Sequence, residues 1–349
     1  MECKGWKLYF LLFLYSQVAV SQSDTSDIFS SIPLFQNDSL INLELRFDIL
    51  GVKRDTGENP IDHLVSITYL NYYGGKEKIK GQLHARGIFR KRSENCNFPP
   101  LLIKISKNNS DLTQFQGIKK VKLVTHCQNN SKYYEISVLR EYLAYKLYNL
   151  LTPYSFNVKL ARIYYIDEYE CDTIVKFGFF IEPDLLLAQR VKGKIIEQKN
   201  IHPNSTNKEL TVLMSFFQYL IGNTDWSIKA LHNIILVEAF PGSPPIAIPF
   251  DFDFSGFVNA PYALPAEQLP IKTVKERYYN GYCKSYDQYA QVINEFNVKK
   301  ESIYQLITSF PYLSDRDKHK ITKYLDGFFH TINSPKKVNR EFVNKCRTE

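Results

Sequence analysis

No CxxC pair and no Cys/His spacing of a zinc site occurs in the 349-residue chain, so its six cysteines do not announce a metal centre. Clustered positive charge is missing too. The formal charge is only +8, and the basic tracts "FRKRS" (89–93) and "SPKKVNR" (334–340) come without a recognisable nucleic-acid module. They read as solvated surface, and no nucleic-acid partner is expected. Beyond the run Leu8–Val20, no stretch is apolar enough to span a bilayer. No internal repeat is visible, and no GxGxxG loop can be recognised. Gly74-Gly75 is the one glycine-rich candidate, and such pairs usually mark plain hairpins.

What is present begins at the N-terminus. Lys4 and Lys7 precede the apolar run, and Ala19 and Ser21 supply the small residues a signal peptidase prefers. Residues 1–21 therefore read as a signal peptide cleaved before Gln22, with a retained anchor as the alternative. The mature protein is expected to be exported: periplasmic, cell-surface or secreted. Cys96, Cys127, Cys171, Cys283 and Cys346 remain after cleavage, and an oxidising compartment favours disulfides with one cysteine left over. About 330 residues exceed one simple core and suit two lobes.

Residues 40–126 read mainly as strands: 41–50, 63–72, 79–87, 101–106 and 121–126, with a turn at Gly74-Gly75. Helical spacing takes over at Ile136, Leu139, Leu143, Leu147 and Leu151, while Val138, Tyr142, Tyr145 and Tyr148 form a second face. A helix apolar on two sides is wedged between a sheet and another element. Strands return at 158–167 and 174–182, and a helix from Glu209 stops at Gly222. Two amphipathic helices, 284–309 and 314–333, follow a short strand before "DFDF", with Ser314 and Asp317 resembling a capping box. The expected fold class is α+β in two lobes. The N-terminal lobe (22–182) is an antiparallel sheet plus one helix, the C-terminal lobe (183–349) is mainly helical, and the cleft passes near residues 182, 222 and 251.

Phosphoryl transfer from ATP asks for a cation on the phosphates, carboxylates for magnesium, and a carboxylate that orients the acceptor hydroxyl. In kinase-like folds the lysine lies on a strand, its glutamate on the following helix, and the carboxylates come later. The chain supplies that order: Lys104 in "LLIKIS", Glu141 in "LREYLAYKLYNLL", Asp225 after a helix, and Asp251 at the close of a short strand. Lys122 in "KVKLV" rivals Lys104. Asp251 and Asp253 alternate amid Phe250, Phe252 and Phe254, so on a strand their carboxylates share one face, which favours a cation site. Plainer roles stay open. Lys104 also suits a strand edge, Glu141 a surface pair or turn cap, and Asn223 and Asp225 a helix end and turn. His84, His126 and His232 show no ligand spacing and read as structural.

From about residue 80 to 257 the chain resembles the CotH-type kinases, a family named after a spore coat protein H and distantly related to protein kinases. "RG" (86–87), "PPLLIKI", "FQGIKKVKLV", "VLREYLAYKLY", "FGFFIE", "NTDW" and "PFDFDFSG" stand in that family's order, and "GNTD" is similar to the catalytic loop of HipA-type kinases. The resemblance implies a kinase-like fold that uses ATP with Mg2+ or Mn2+. It makes Asp225 the catalytic aspartate and Asp251 the metal-binding one, with Asp253 beside it. Lys104, Glu141 and Arg86 would lie about the nucleotide, and Glu182 at the hinge beside the adenine. The metal-binding asparagine of such kinases lies five residues after the catalytic aspartate. Here position 230 is Ala, and Asn233, eight residues on, is the nearest candidate.

Three functions compete. An exported kinase-like enzyme would transfer phosphate from ATP to a protein or glycan hydroxyl. A catalytically inert relative would bind nucleotide or a partner at the surface, which the missing asparagine at 230 favours. A sugar-nucleotide transferase would use "DFD" as its metal motif, but it needs an α/β unit upstream, where antiparallel strands are expected instead.

A disulfide between Cys96 and Cys127 is expected. Strands 101–106 and 121–126 are consecutive, and antiparallel pairing is the simplest connection. Facing residues then have a constant number sum. Joining the cysteines sets Leu102 opposite Val121 and Lys104 opposite Lys119.

Overall fold

The computed structural model describes residues 33–348 apart from 56, 72–73, 107–112 and 171. The expected signal peptide (1–21) and Cys171 lie outside the described residues. Among the described residues, seven strands build the N-terminal part: β1 (Ile41–Phe47), β2 (His63–Leu70), β3 (Lys76–Ala85), β4 (Leu101–Ile105), β5 (Lys120–Val124), β6 (Val158–Asp167) and β7 (Thr173–Ile181). Burial alternates along β1 and β4 residue by residue, which is the physical signature of strands with one face inward. Leu43, Ile67, Ile79, Ile103, Leu123, Ile163 and Phe180 fill the interior.

The expected antiparallel sheet is corrected to a barrel. The strand order is β1-β2-β3-β4-β5-β7-β6, and β6 closes the ring by pairing parallel with β1, Ile41 beside Ala161. Right-handed twist accumulates over seven strands and carries one edge round to the other, and closure leaves neither edge exposed. The first strand is also shorter than expected. Asp48 caps a helical turn, α1 (Ile49–Arg54), by accepting from the Gly51 N–H at 2.7 Å.

Helix α2 (Lys132–Leu151) lies between β6 and β7 on one side and α5 (Tyr286–Thr308) on the other. Both of its apolar faces are buried, Leu139, Leu143 and Leu147 with Tyr142, Tyr145 and Tyr148. The second hydrophobic core runs from α2 into the C-terminal helices. These are α3 (Asp184–Arg190), α4 (Lys208–Ile221), α5 and α6 (Asp315–Ile332), beside a three-stranded sheet of β8 (Lys194–Ile196), β9 (Ile234–Glu238) and β10 (Ile246–Pro249). Gly222 ends α4 at φ 64°, a left-handed cap that glycine adopts without strain. Ser314 caps α6, but only half of the expected box forms. Its hydroxyl accepts from the Asp317 N–H and donates to the Asp317 carboxylate. No helix among the described residues is long and apolar enough to cross a membrane.

Cys96 and Cys127 are joined, as are Cys283 and Cys346. These disulfides fit an oxidising compartment. The ladder beside the first bond differs from expectation by one residue: Leu102 faces Lys122 and Lys104 faces Lys120. Inward Ile103 then meets inward Val121, whereas the expected register would have put Lys120 against Ile103. The cysteines lie beyond the ladder, past Pro99-Pro100 and at a left-handed Cys127 (φ 60°), so they need not keep its number sum.

Candidate functional site

Glu141 projects from α2, and Asp251 and Asp253 follow β10. Strand β10 ends at Pro249 and Asp251 has φ 61°, so the two aspartates are not alternate residues of a strand as expected. A turn brings them together instead. The Asp251 N–H donates to the hydroxyl of Tyr145, one turn beyond Glu141 on α2, at 2.8 Å. Asp253 accepts from the Tyr262 hydroxyl at 2.8 Å.

Two of these acids are dry, and Asp251 is half-buried. Glu141 is 2% exposed and Asp253 6%. No hydrogen bond or ion pair holds the Glu141 carboxylate among the described residues. Burial first, then the charges of Asp253 and Asp251, raise Glu141 well above the usual carboxylate range, with Arg90 and Arg86 opposing. Asp253 is raised to about 7 by burial and then by Asp251, again against Arg90. The cluster is short of positive charge.

Its cations come from the loop between β3 and β4. Gly87 turns that loop at φ 84°, and the Cys96–Cys127 bond ties its far end to the chain after β5. Phe89 then packs on Phe254 and on Tyr262, both at 5.5 Å, and Arg90 lies 5.8 Å over the Tyr262 ring while donating to the Thr125 carbonyl. The Nε atoms of Arg86 and Arg90 are buried without a hydrogen-bond partner among the described residues. Arg90 was expected on a solvated tract and is instead 9% exposed. Burial opposes its charge, but Tyr262, Asp253, Glu141 and Asp251 outweigh that and raise its pKa.

Asp225 follows the α4 cap. Its N–H donates to the Asn223 side-chain oxygen at 3.0 Å, an Asx turn that aims the carboxylate outward, and its side chain is 40% exposed. Residues 227 and 232 then bond to each other in both directions, closing a hairpin that returns the chain to its start. Asn233, at φ 53°, donates from Nδ2 to the Asp225 carbonyl at 2.9 Å and to Oδ2 at 3.0 Å. That hairpin is what brings Asn233, eight residues on, back beside Asp225. His232, expected to be structural, lies 2.8 Å from Asp225 Oδ1. The Phe250 N–H donates to the Asn233 carbonyl at 3.0 Å, which sets Asp251 beside the Asp225 loop.

Two expected residues have their side chains engaged by other groups of the chain. Lys104 is on the outer barrel face with its ammonium on Asp62 at 2.6 Å, where His84 also bonds at 2.7 Å. It does not meet Glu141, because Leu101, Ile103 and Ile105 take the inward positions of β4 and leave Lys104 pointing out to Asp62. Lys122 comes nearer the cleft, 3.0 Å from Asp184 and 5.1 Å over the ring of Phe250. Glu182 is buried beside the link between the lobes, but its carboxylate is engaged. It receives Arg190 Nε at 2.9 Å, Arg190 Nη2 at 2.8 Å and the Asn157 N–H at 3.0 Å. Its side chain clamps Arg190 and the Asn157 backbone.

Among the described residues no three His, Cys, Asp or Glu side chains are placed to hold one metal ion. A cavity of about 760 Å3 lies on the other side of α2's first turns, and none of Glu141, Asp225, Asp251 or Asp253 lines it.

No protein-family model matches the chain, so the likeness to CotH-type kinases rests on the residues quoted for it alone. No curated protein matches either. One solved structure to which the chain is similar is the crystal structure of the Golgi casein kinase, at TM-score 0.30 and 10% identity over 93% of this chain and 82% of that one. An overlap that loose carries no argument, and the chemistry is read from the side chains themselves.

Proposed function

We propose that the chain is a kinase-like phosphotransferase that moves phosphate from ATP to a hydroxyl of a protein or glycan. The observation that carries this reading is the acid cluster of buried Glu141 and Asp253 with half-buried Asp251, three carboxylates against Arg86 and Arg90, next to an exposed Asp225 pinned by Asn233. A divalent cation fits that shortage. Magnesium is commonly held by one or two carboxylates with phosphate oxygens completing its shell, so a three-residue protein cage is not required. Asp251 would hold it, with Asp253 behind and with the Oδ1 of Asn233, whose Nδ2 is turned to Asp225. When bound, the ion neutralises phosphate charge and aligns the transferring group.

The chain's own groups do the rest. Arg86 and Arg90 present unpartnered Nε–H donors beside the acids, suited to phosphate oxygens. Phe89, Phe254 and Tyr262 exclude water above them. Asp225 accepts a hydrogen bond from the acceptor hydroxyl. As the new P–O bond forms and the bond to ADP breaks, the hydroxyl proton passes to its carboxylate. His232 and Asn233 hold the two oxygens so that one lone pair faces the acceptor.

The test is the purified chain with γ-labelled or α-labelled ATP and Mg2+ or Mn2+. Transfer of the γ-label is expected, lost in Asp225→Ala with nucleotide affinity kept. Asp251→Asn should lose metal-dependent nucleotide binding. Unchanged calorimetric affinity in Asp251→Asn refutes the metal role. Metal-dependent binding without transfer favours the inert reading, and transfer of the α-label replaces phosphate by AMP.

A further inference from the structure

We infer that the cavity of about 760 Å3 between the start of α2, the 256–264 loop, residues 272–275 and α6 seats an acidic polypeptide segment. Its charged lining among the described residues is one-sided. Arg140, Lys272, Lys275 and Lys320 face it, against Asp317 as the one acid. That acid is already engaged by the Ser314 hydroxyl and by Lys320 at 3.7 Å. Arg140 keeps a buried Nε without a partner among the described residues. Lys272, Lys275 and Lys320 are exposed, so carboxylates can reach them from solvent.

The shape favours a chain over a small anion. A single carboxylate or phosphate fills a small part of this volume, and Tyr133 and Leu264, 74% and 75% exposed, give the cavity apolar lips. Its inner wall is the back of the two loops already described. The Gly256 N–H donates to the Gly222 carbonyl at 3.2 Å, and the Tyr324 hydroxyl occupies the space that a side chain on either glycine would need. The Asn280 side chain reaches the Thr224 carbonyl at 3.5 Å, so the segment that supplies Lys272 and Lys275 continues to the residue before Asp225. The cavity thus abuts the backbone that carries that aspartate. That the segment is the phosphate acceptor rests on the phosphotransferase reading; that an acidic segment binds here does not.

Fluorescence anisotropy without nucleotide tests it, using the purified chain and three labelled probes of equal length: a Ser/Glu peptide, a Ser/Lys peptide and oligothymidylate. The Ser/Glu peptide should bind alone. Lys272→Glu/Lys275→Glu/Lys320→Glu should weaken it about tenfold, the sum of three modest exposed pairs. Lys199→Glu/Lys299→Glu/Lys336→Glu, an equal charge change on exposed lysines outside the cavity lining, should leave it within about twofold. No binding, equal binding of either other probe, or equal weakening by both variants overturns the inference. Peptide binding with this pattern in a chain that neither binds nor turns over ATP overturns the phosphotransferase reading and leaves the seat standing.

Discussion

Replacing Arg190 with methionine keeps most of the side-chain volume but strips the Glu182 carboxylate of two of its three donors. Only the Asn157 N–H, at 3.0 Å, would remain. The carboxylate is 4% exposed and the guanidinium 27%, so the two halves of the clamp are not equivalent. Stranding the deeper charge should cost about 4 kcal/mol. Glu182→Gln leaves a neutral amide that still accepts from Asn157 and a guanidinium that water reaches, for about 1–2 kcal/mol. Urea unfolding should therefore place Arg190→Met about 2 kcal/mol below Glu182→Gln. Glu182→Leu/Arg190→Met should recover much of the loss, because no ion is left buried. The reasoning fails if Arg190→Met is the milder variant or if the double variant shows the simple sum. Nucleotide affinity supplies a second readout. Glu182→Gln should leave it unchanged, and a tenfold loss without a shift in midpoint would return Glu182 to the adenine.

Gly256→Ala places a Cβ 2.2 Å from the Val274 carbonyl oxygen and 2.6 Å from the Tyr324 hydroxyl, so backbone must move. A loss of about 2–3 kcal/mol is expected from urea midpoints, together with reduced transfer. His126 is fully buried, and burial lowers its pKa from 6.5 to about 4, with the Asn129 hydrogen bond opposing. The unfolded chain takes up this proton first, so the stability is whole above about pH 6.5 and falls as pH drops toward 4, by about 3 kcal/mol. His126→Gln should flatten that limb of the stability–pH curve, and an unchanged slope would assign the acid sensitivity elsewhere.

Local pattern was enough where local physics decides. Strand 158–167 shows its period in sequence, Gly222 marks the end of α4, and the double stripe of α2 foretold burial on two sides. Barrel closure was not legible, because the meeting of Ile41 with Ala161 depends on accumulated twist. Strand β9 was missed, since "IILVE" is too short to show a period. In the site, chain order singles out Glu141 and Asp251, alternation adds Asp253, and the three lie together. Arg90 was not singled out, because a polar loop reads as surface until the aromatic pair Phe254 and Tyr262 is known to lie beneath it. Nor was the His232–Asp225 contact, which exists only once the 227–232 hairpin has closed. Lys104 misled for a related reason: strand position tells which face a lysine is on and not what waits opposite its tip.

The parallel seam between β1 and β6 has a bearing on how the chain assembles. The first strand emerges from the ribosome long before its second partner, and α2 must be made in between. Until residue 167 is available, β1 can pair only with β2, and its other side presents free N–H and C=O groups. Contacts so distant in sequence form slowly, because the loop they close must be ordered first. The Cys96–Cys127 bond, by contrast, lies wholly within the part already synthesised and can form early. A nascent chain thus passes through a stage in which the middle of the barrel is stapled while its first strand is still open to other chains, and a chaperone that covers β1 would be needed for that interval only.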